Sequence, residues 1–344
     1  MKKTISLLLS IVMLVSITVC GNIPVQAADF VNYSQNIQLN RTYTNSASNY
    51  DPKVDGASNY SFHSYQFTVP ESGTINIYEE SANSKYFPWG LYIYDSRNLD
   101  NCIWYGTLNT DISYSSTNKV YYNSISTTLK KGTYFLVKEY CNEFISDLWG
   151  SYNLRLNYKP NISTPSTLKA STRNTTNLKL SWGKVSGVSG YQLQRKSGDS
   201  WKTVATTTST SSTVKSLKAG TTYSFRVRAY KTINGTKYYS GWRTLKTPTS
   251  PSKPAIKTPS TNKKHQITAK WKKVSACSGY QVQYSMSSKF KKATTKTVSG
   301  ASKTSCTGKF KKGKKYYIRV RSYKTVDGKK YYSAWSSVKS IKCK

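Results

Sequence analysis

The sequence predicts an all-β protein: three β-sandwich domains in tandem after a cleaved signal peptide. Three observations carry that prediction. Apolar and polar residues alternate over short runs, the period of a strand with one buried face. Gly, Pro, Asn and Ser fence those runs at short intervals. The last two segments repeat each other over about 90 residues apiece, a length that suits duplicated domains rather than solenoid units. With 13% aromatic residues among 344, the chain also lacks the aromatic-poor composition of a disordered protein.

The N-terminus reads as a processing signal. Lys2 and Lys3 precede an apolar run from Ile5 to Val19, then Gly21, Pro24 and Val25-Gln26-Ala27. This is the pattern of a secretory signal peptide over residues 1–27, cut after Ala27. The run is shorter than the roughly 20 residues a membrane span needs. A lipid anchor at Cys20 is disfavoured by Val19, because that cleavage pocket takes a small residue before the cysteine. No later stretch suits a stop-transfer helix, so a secreted, extracellular protein with no membrane span is expected, either released or held at the cell wall non-covalently.

Three domains follow, over 30–159, 163–248 and 252–343. Lys159-Pro160-Asn161-Ile162-Ser163-Thr164-Pro165 and Pro248-Thr249-Ser250-Pro251 separate them as stiff, proline-bearing spacers. In the first, Tyr65 to Val69, Thr74 to Tyr78, Gly90 to Asp95, Ile125 to Leu129, Thr133 to Val137 and Tyr152 to Leu156 read as short strands. In the other two, Trp182 and Gly190-Tyr191-Gln192 recur 89 residues later as Trp271 and Gly279-Tyr280-Gln281. Tyr223, Arg226, Arg228, Tyr230 and Trp242 recur 93 later as Tyr316, Arg319, Arg321, Tyr323 and Trp335, which requires four inserted residues between Tyr284 and Phe310. Asn234-Gly235 and Asp327-Gly328 are type I′ hairpin signals. Of the pairs Tyr238-Tyr239 and Tyr331-Tyr332, alternation sends one ring inward and one outward.

These residues resemble fibronectin type III modules of secreted bacterial proteins. The matches are Trp182 and Trp271, the Gly-Tyr pairs at 190–191 and 279–280, and Leu217 or Phe310 six before Tyr223 or Tyr316. The last pairing implies a tyrosine corner. The resemblance also implies that Arg226, Arg228, Arg319 and Arg321 face outward beside Trp242 and Trp335, so guanidinium stacks on indole. Such modules are mostly spacers and binding scaffolds. The first domain resembles the bacterial pre-peptidase C-terminal domain, a jelly-roll-like sandwich appended to secreted enzymes. Its matches are Phe67-Thr68-Val69-Pro70 with Ser72-Gly73, Leu91 to Asp95, Lys131 to Tyr134 and Gly150 to Leu154. Some relatives bind calcium, collagen or glycans.

No catalytic constellation is found, and a non-enzymatic protein is expected. His63 and His265 fall in different domains, and zinc-ligand spacing is missing. Glu79 and Glu80, as strand neighbours, point to opposite faces and cannot converge. Asp51, Asp55 and Asp95 are the candidates for calcium, without the alternating oxygens of a known loop, so no cofactor is expected. Export permits a disulfide between Cys102 and Cys141. Cys277, Cys306 and Cys343 are expected to stay reduced, because the fibronectin topology places them apart. Trp89, Tyr92, Trp104 and Tyr105 are candidates for stacking on a glycan or a protein ligand, with core packing as the alternative.

Charge is the strongest functional feature. Residues 28–160 hold 10 basic and 12 acidic residues, 161–250 hold 15 and 1, and 251–344 hold 25 and 1. In the last domain Lys289, Lys291, Lys292 and Lys296 lie around the loop that the family labels C–C′. Lys309, Lys311, Lys312, Lys314 and Lys315 lie around its E–F loop. Both loops belong to one pole, where Lys342 and Lys344 also end. A lysine cap attracts polyanions through salt-sensitive charge. Anionic cell-wall polymer or acidic polysaccharide is the expected partner, with extracellular DNA bound only non-specifically. The alternative is that lysine serves solubility.

Overall fold

The computed structural model describes residues 34–45, 60–82, 90–106, 112–141 and 152–344. The expected signal peptide, Asp51, Asp55 and Trp89 lie outside them. The chain divides into two compact units, Met1–Asn161 and Ile162–Lys344. Every described element is a strand, and no described helix is long and apolar enough to cross a membrane.

The first unit has ten strands: β1 (Gln35–Asn36), β2 (Thr42–Asn45), β3 (Tyr60–Val69), β4 (Gly73–Ser81), β5 (Gly90–Asp95), β6 (Asn98–Gly106), β7 (Ser113–Ser115), β8 (Val120–Leu129), β9 (Gly132–Cys141) and β10 (Tyr152–Pro160). They form two five-stranded sheets, β1-β3-β9-β5-β6 and β2-β10-β4-β8-β7. Alternation decides what each sheet buries. Tyr65, Phe67 and Val69 of β3 and Leu91 and Ile93 of β5 face Ile75 and Ile77 of β4 and Leu154 and Leu156 of β10, and all are buried.

The expected bridge between Cys102 and Cys141 is not formed: Cys102 is a free thiol. The Cys141 side chain lies outside the described atoms, but its strand settles the distance. β5 stands between β6 and β9, and strands two apart are about 9–10 Å from each other. A disulfide closes only when the Cα atoms are within about 7 Å. Cys102 is also level with Tyr94 and hence with Phe135, six residues along β9 from Cys141.

The second unit carries two sandwiches of one strand order. The first uses β11 (Leu168–Arg173), β12 (Leu178–Trp182), β13 (Gly190–Ser197), β14 (Ser200–Thr207), β15 (Ser211–Val214), β16 (Thr222–Ile233), β17 (Thr236–Tyr239) and β18 (Arg243–Pro248). The second uses β19 (Ser260–Thr261), β20 (Gln266–Lys270), β21 (Gly279–Ser285), β22 (Thr294–Ser299), β23 (Ser305–Lys309), β24 (Lys315–Val326), β25 (Lys329–Tyr332) and β26 (Lys339–Lys342). Sheets β11-β12-β15 and β19-β20-β23 face β14-β13-β16-β17 and β22-β21-β24-β25, with β18 and β26 pairing β16 and β24. Trp182 packs on Tyr191 and Trp271 on Tyr280 inside the two cores.

Asn234 and Gly235 have φ of 48° and 79°, and Asp327 and Gly328 have 46° and 74°, the double positive φ that a type I′ turn requires. The corner tyrosines are in place: the Tyr223 hydroxyl accepts from Lys218 N at 2.8 Å and the Tyr316 hydroxyl from Lys311 N at 3.3 Å. Each final strand breaks where a serine hydroxyl bonds the neighbouring backbone, Ser240 to Ala229 N and Ser333 to Ser322 N. The two sandwiches meet closely. Gly220, at φ +62°, passes so near Ala276 that a Cβ would stand 2.4 Å from its carbonyl oxygen. Lys246 Nζ lies 2.9 Å from Asp327 Oδ1, and the Arg173 guanidinium lies 4.3 Å over the Tyr331 ring.

Candidate polyanion-binding pole

The inserted residues lengthen the connections on both sides of β22, the first of them most visibly. β13 and β14 are joined through Gly198-Asp199, whereas β21 and β22 are joined by Met286 to Ala293. Two residues of that loop, Phe290 at φ +58° and Lys292 at φ +49°, hold the left-handed backbone that non-glycine residues rarely adopt. The Ser285 hydroxyl donates to Lys291 O at 2.9 Å and pins the loop to its strand. Opposite stands the connection from β23 to β24, fixed by the Tyr316 corner and by Gly313 N donating to Cys343 O at 2.8 Å.

The two loops converge. Tyr284, Ser285, Met286, Lys292, Thr294, Lys309, Phe310, Lys311 and Tyr316 line one cleft of about 400 Å³. Phe310 is wedged between Tyr284 and Tyr316, with ring centroids 4.7 and 4.8 Å away. Three of the expected lysines, Lys292, Lys309 and Lys311, therefore share a rim above an aromatic floor. Lys289, Lys291, Lys312, Lys314 and Lys315 are exposed on the same two loops or at their ends. Lys296 is engaged otherwise: its Nζ donates to Thr307 O at 3.0 Å.

One contributor was missed by sequence reasoning. The turn between β19 and β20 belongs to this pole too, because Phe310 N donates to His265 O and His265 Nδ1 lies 2.7 Å from Lys344 O. It adds Lys263 and Lys264. Their adjacency to the loops depends on strand order, and a local pattern carries no trace of it.

The only side-chain carboxylate after residue 250 is Asp327, which is taken by Lys246. The module's two arginines are also committed. Arg319 stacks between Phe290 and Trp335 at 3.9 and 4.4 Å, and Arg321 between Trp335 and Tyr332 at 4.4 and 3.8 Å. Gln283 and Gln281 accept from their Nε atoms. Arg226 and Arg228 repeat this with Trp201, Trp242 and Tyr239. Burial among the rings moves all four guanidinium pKa values down. The ladder is longer than expected, since Trp201 and Phe290 extend it. Neither ring of either Tyr-Tyr pair is buried, contrary to expectation: Tyr239 and Tyr332 cap the ladders, and Tyr238 and Tyr331 stay half-exposed.

In the first unit the glycan-stacking candidates separate. Tyr92 and Tyr105 share the outer face, with ring centroids 5.1 Å apart, and Tyr94 lies 6.5 Å from Tyr92. Tyr105 is 56% exposed. Trp104 points the other way, its half-buried ring beside Gly106 and near Ile125 of the facing sheet. Asp95 is not open to a cation, because Arg97 takes its Oδ1 through the backbone N at 3.0 Å and Nε at 2.9 Å. That pairing holds its carboxyl down at about 2.

Glu79 and Lys138 form an ion pair between the sheets, with both side chains wholly buried. The Lys138 ammonium lies 3.5 Å over the Tyr152 ring, and the Tyr152 hydroxyl reaches His63 Nδ1 and the Tyr65 hydroxyl, each at 2.5 Å. Burial raises the Glu79 carboxyl and lowers the Lys138 ammonium to about 8, with mutual attraction opposing both shifts. Glu80 faces the other way, receiving Tyr78 and Asn153, so the two glutamates do not converge.

No curated protein matches the chain. Among solved structures it is similar to a two-domain fibronectin type III segment of chicken tenascin, at 24% identity over 52% of this chain and 99% of that one, with a TM-score of 0.34. It is similar to the FN1–FN3 domains of chicken CNTN1 at 15% identity over 74% of this chain and 91% of that one, TM-score 0.33. It is also similar to the pre-peptidase C-terminal domain of a Bacillus anthracis collagenase, at 20% identity over 36% of this chain and 94% of that one, TM-score 0.23. The family match is confined to the middle of the chain: residues 163–242 match the model of the fibronectin type III domain.

Proposed function

We propose that this is an exported, non-enzymatic, surface-associated binding protein that docks on anionic wall or matrix polymer through the lysine pole of its last module. The observation that carries the reading is charge without local compensation. Eight exposed lysines gather on two converging loops, and the module's one acidic side chain is bound to Lys246. Cations so placed draw their counterions from solution or from a polyanion. A salt wash of intact cells from about 0.1 to 1 M, followed by blotting, tests the docking, since the Debye length falls from about 10 Å to about 3 Å over that range. Stepwise release is expected; retention at the highest salt counts against it.

A second reading rests on the outward strip Tyr92, Tyr94 and Tyr105, whose faces could receive a sugar ring or a protein partner. Affinity electrophoresis in neutral polysaccharide separates the two. A charge-only binder runs unretarded, and a Tyr105→Ala variant should lose any retardation.

A further inference from the structure

We infer that the cleft beside Phe310 is a subsite for one repeating unit of a phosphodiester-linked polyol polymer. Its phosphate would sit on Lys292, Lys309 and Lys311, and its carbon skeleton against Phe310 and Met286. The inference rests on the docking reading and adds a ligand class to it. Four features of the pole point there.

The first is size. About 400 Å³ lies at the small end of ligand sites and takes one unit, not a length of chain. The second is the division of polarity: three ammonium groups stand over half-buried Phe310 and the 57% exposed Met286. A purely ionic site needs no such floor, whereas an anion joined to a carbon skeleton uses both. The third is the choice of cation. Every basic residue lining the cleft is lysine, and both arginines of the module are held in the stack on the sheet. The compact, rotatable ammonium holds phosphate as a point charge, without the fixed fork by which guanidinium grips carboxylate and phosphate alike. The fourth is rigidity at the rim. Lys292 is presented from a left-handed position, and Lys311 adjoins a backbone tied by Tyr316. The single ring at the mouth also disfavours single-stranded DNA, whose non-specific sites stack successive bases on several aromatics.

The test uses the full mature chain with three polyanions matched in charge, a glycerol phosphate oligomer, an oligothymidylate and a hyaluronate oligomer, and neutral dextran as blank. Binding is titrated at about 0.15 M salt, where exposed charges are screened beyond roughly 8 Å. The glycerol phosphate oligomer should bind at least about tenfold tighter than hyaluronate, and no weaker than oligothymidylate. The triple variant Lys292→Ala/Lys309→Ala/Lys311→Ala should weaken it by about tenfold or more. The control Lys324→Ala/Lys329→Ala/Lys330→Ala removes the same charge from the opposite pole and should cost no more than about threefold. Equal losses in the two variants, or tighter binding of hyaluronate or oligothymidylate, overturn the subsite while leaving docking by charge intact. No binding of any polyanion by the unaltered chain overturns the docking reading itself.

Discussion

Lys138 and Glu79 show what a buried charge does once its partner is taken away. Lys138→Met strands the Glu79 carboxylate in an apolar interior and should destabilise the first domain by about 3–5 kcal/mol. Lys138→Met/Glu79→Leu removes both charges and should restore most of that, because a desolvated pair is often no better than well-packed hydrocarbon. Denaturant transitions of the first domain measure both. His63 gives a pH signature. Burial, and then the Lys138 charge, pull its pKa from 6.5 to about 3. Between those values the unfolded chain takes a proton that the folded domain refuses, so stability is full above about pH 6.5 and falls as pH drops. The limb should lose about 1.4 kcal/mol per pH unit, and His63→Gln should flatten it. None of this network is visible in the sequence. His63, Glu79, Lys138 and Tyr152 each look like ordinary strand residues until two sheets face each other.

At the scale of elements, local chemistry made much of the fold legible. The Asn-Gly and Asp-Gly turns, the corner tyrosines and the Arg-Trp stacking follow from short patterns, and the structure places them as those patterns require. Gly235→Ala should cost about 1 kcal/mol in thermal or denaturant unfolding. No atom lies within 4 Å of the added Cβ, so that cost is purely backbone. Tyr223→Phe should cost about as much by losing the hydrogen bond to Lys218 N. Other features were not legible. Trp104 and Tyr105 cannot both face outward, since they are strand neighbours, and their composition does not say which one does. The cysteine pair looked compatible because sequence gives no strand order, and β5 intervenes. Phe290 appeared only as part of a lysine-rich loop, yet it takes the place under Arg319 that Trp201 takes under Arg226.

Across the whole molecule, charge runs from a nearly balanced first domain to a last one with 25 cations and a single anion. The two sandwiches of the second unit are fastened by Gly220 against Ala276 and by Arg173 over Tyr331, more than by Lys246 and Asp327. That ion pair is exposed on both sides, and Asp327→Asn should change stability by no more than about 1 kcal/mol. The uncompensated lysines have a cost for the fold that carries them. Like charges crowded on one small sandwich push the compact state apart, and only mobile ions or a bound polyanion relieve them. Added salt should therefore raise the melting temperature of this module while loosening its hold on a surface, two opposite responses to one variable. A domain built this way is at its most fragile when free in dilute medium, and it becomes sturdier once attached.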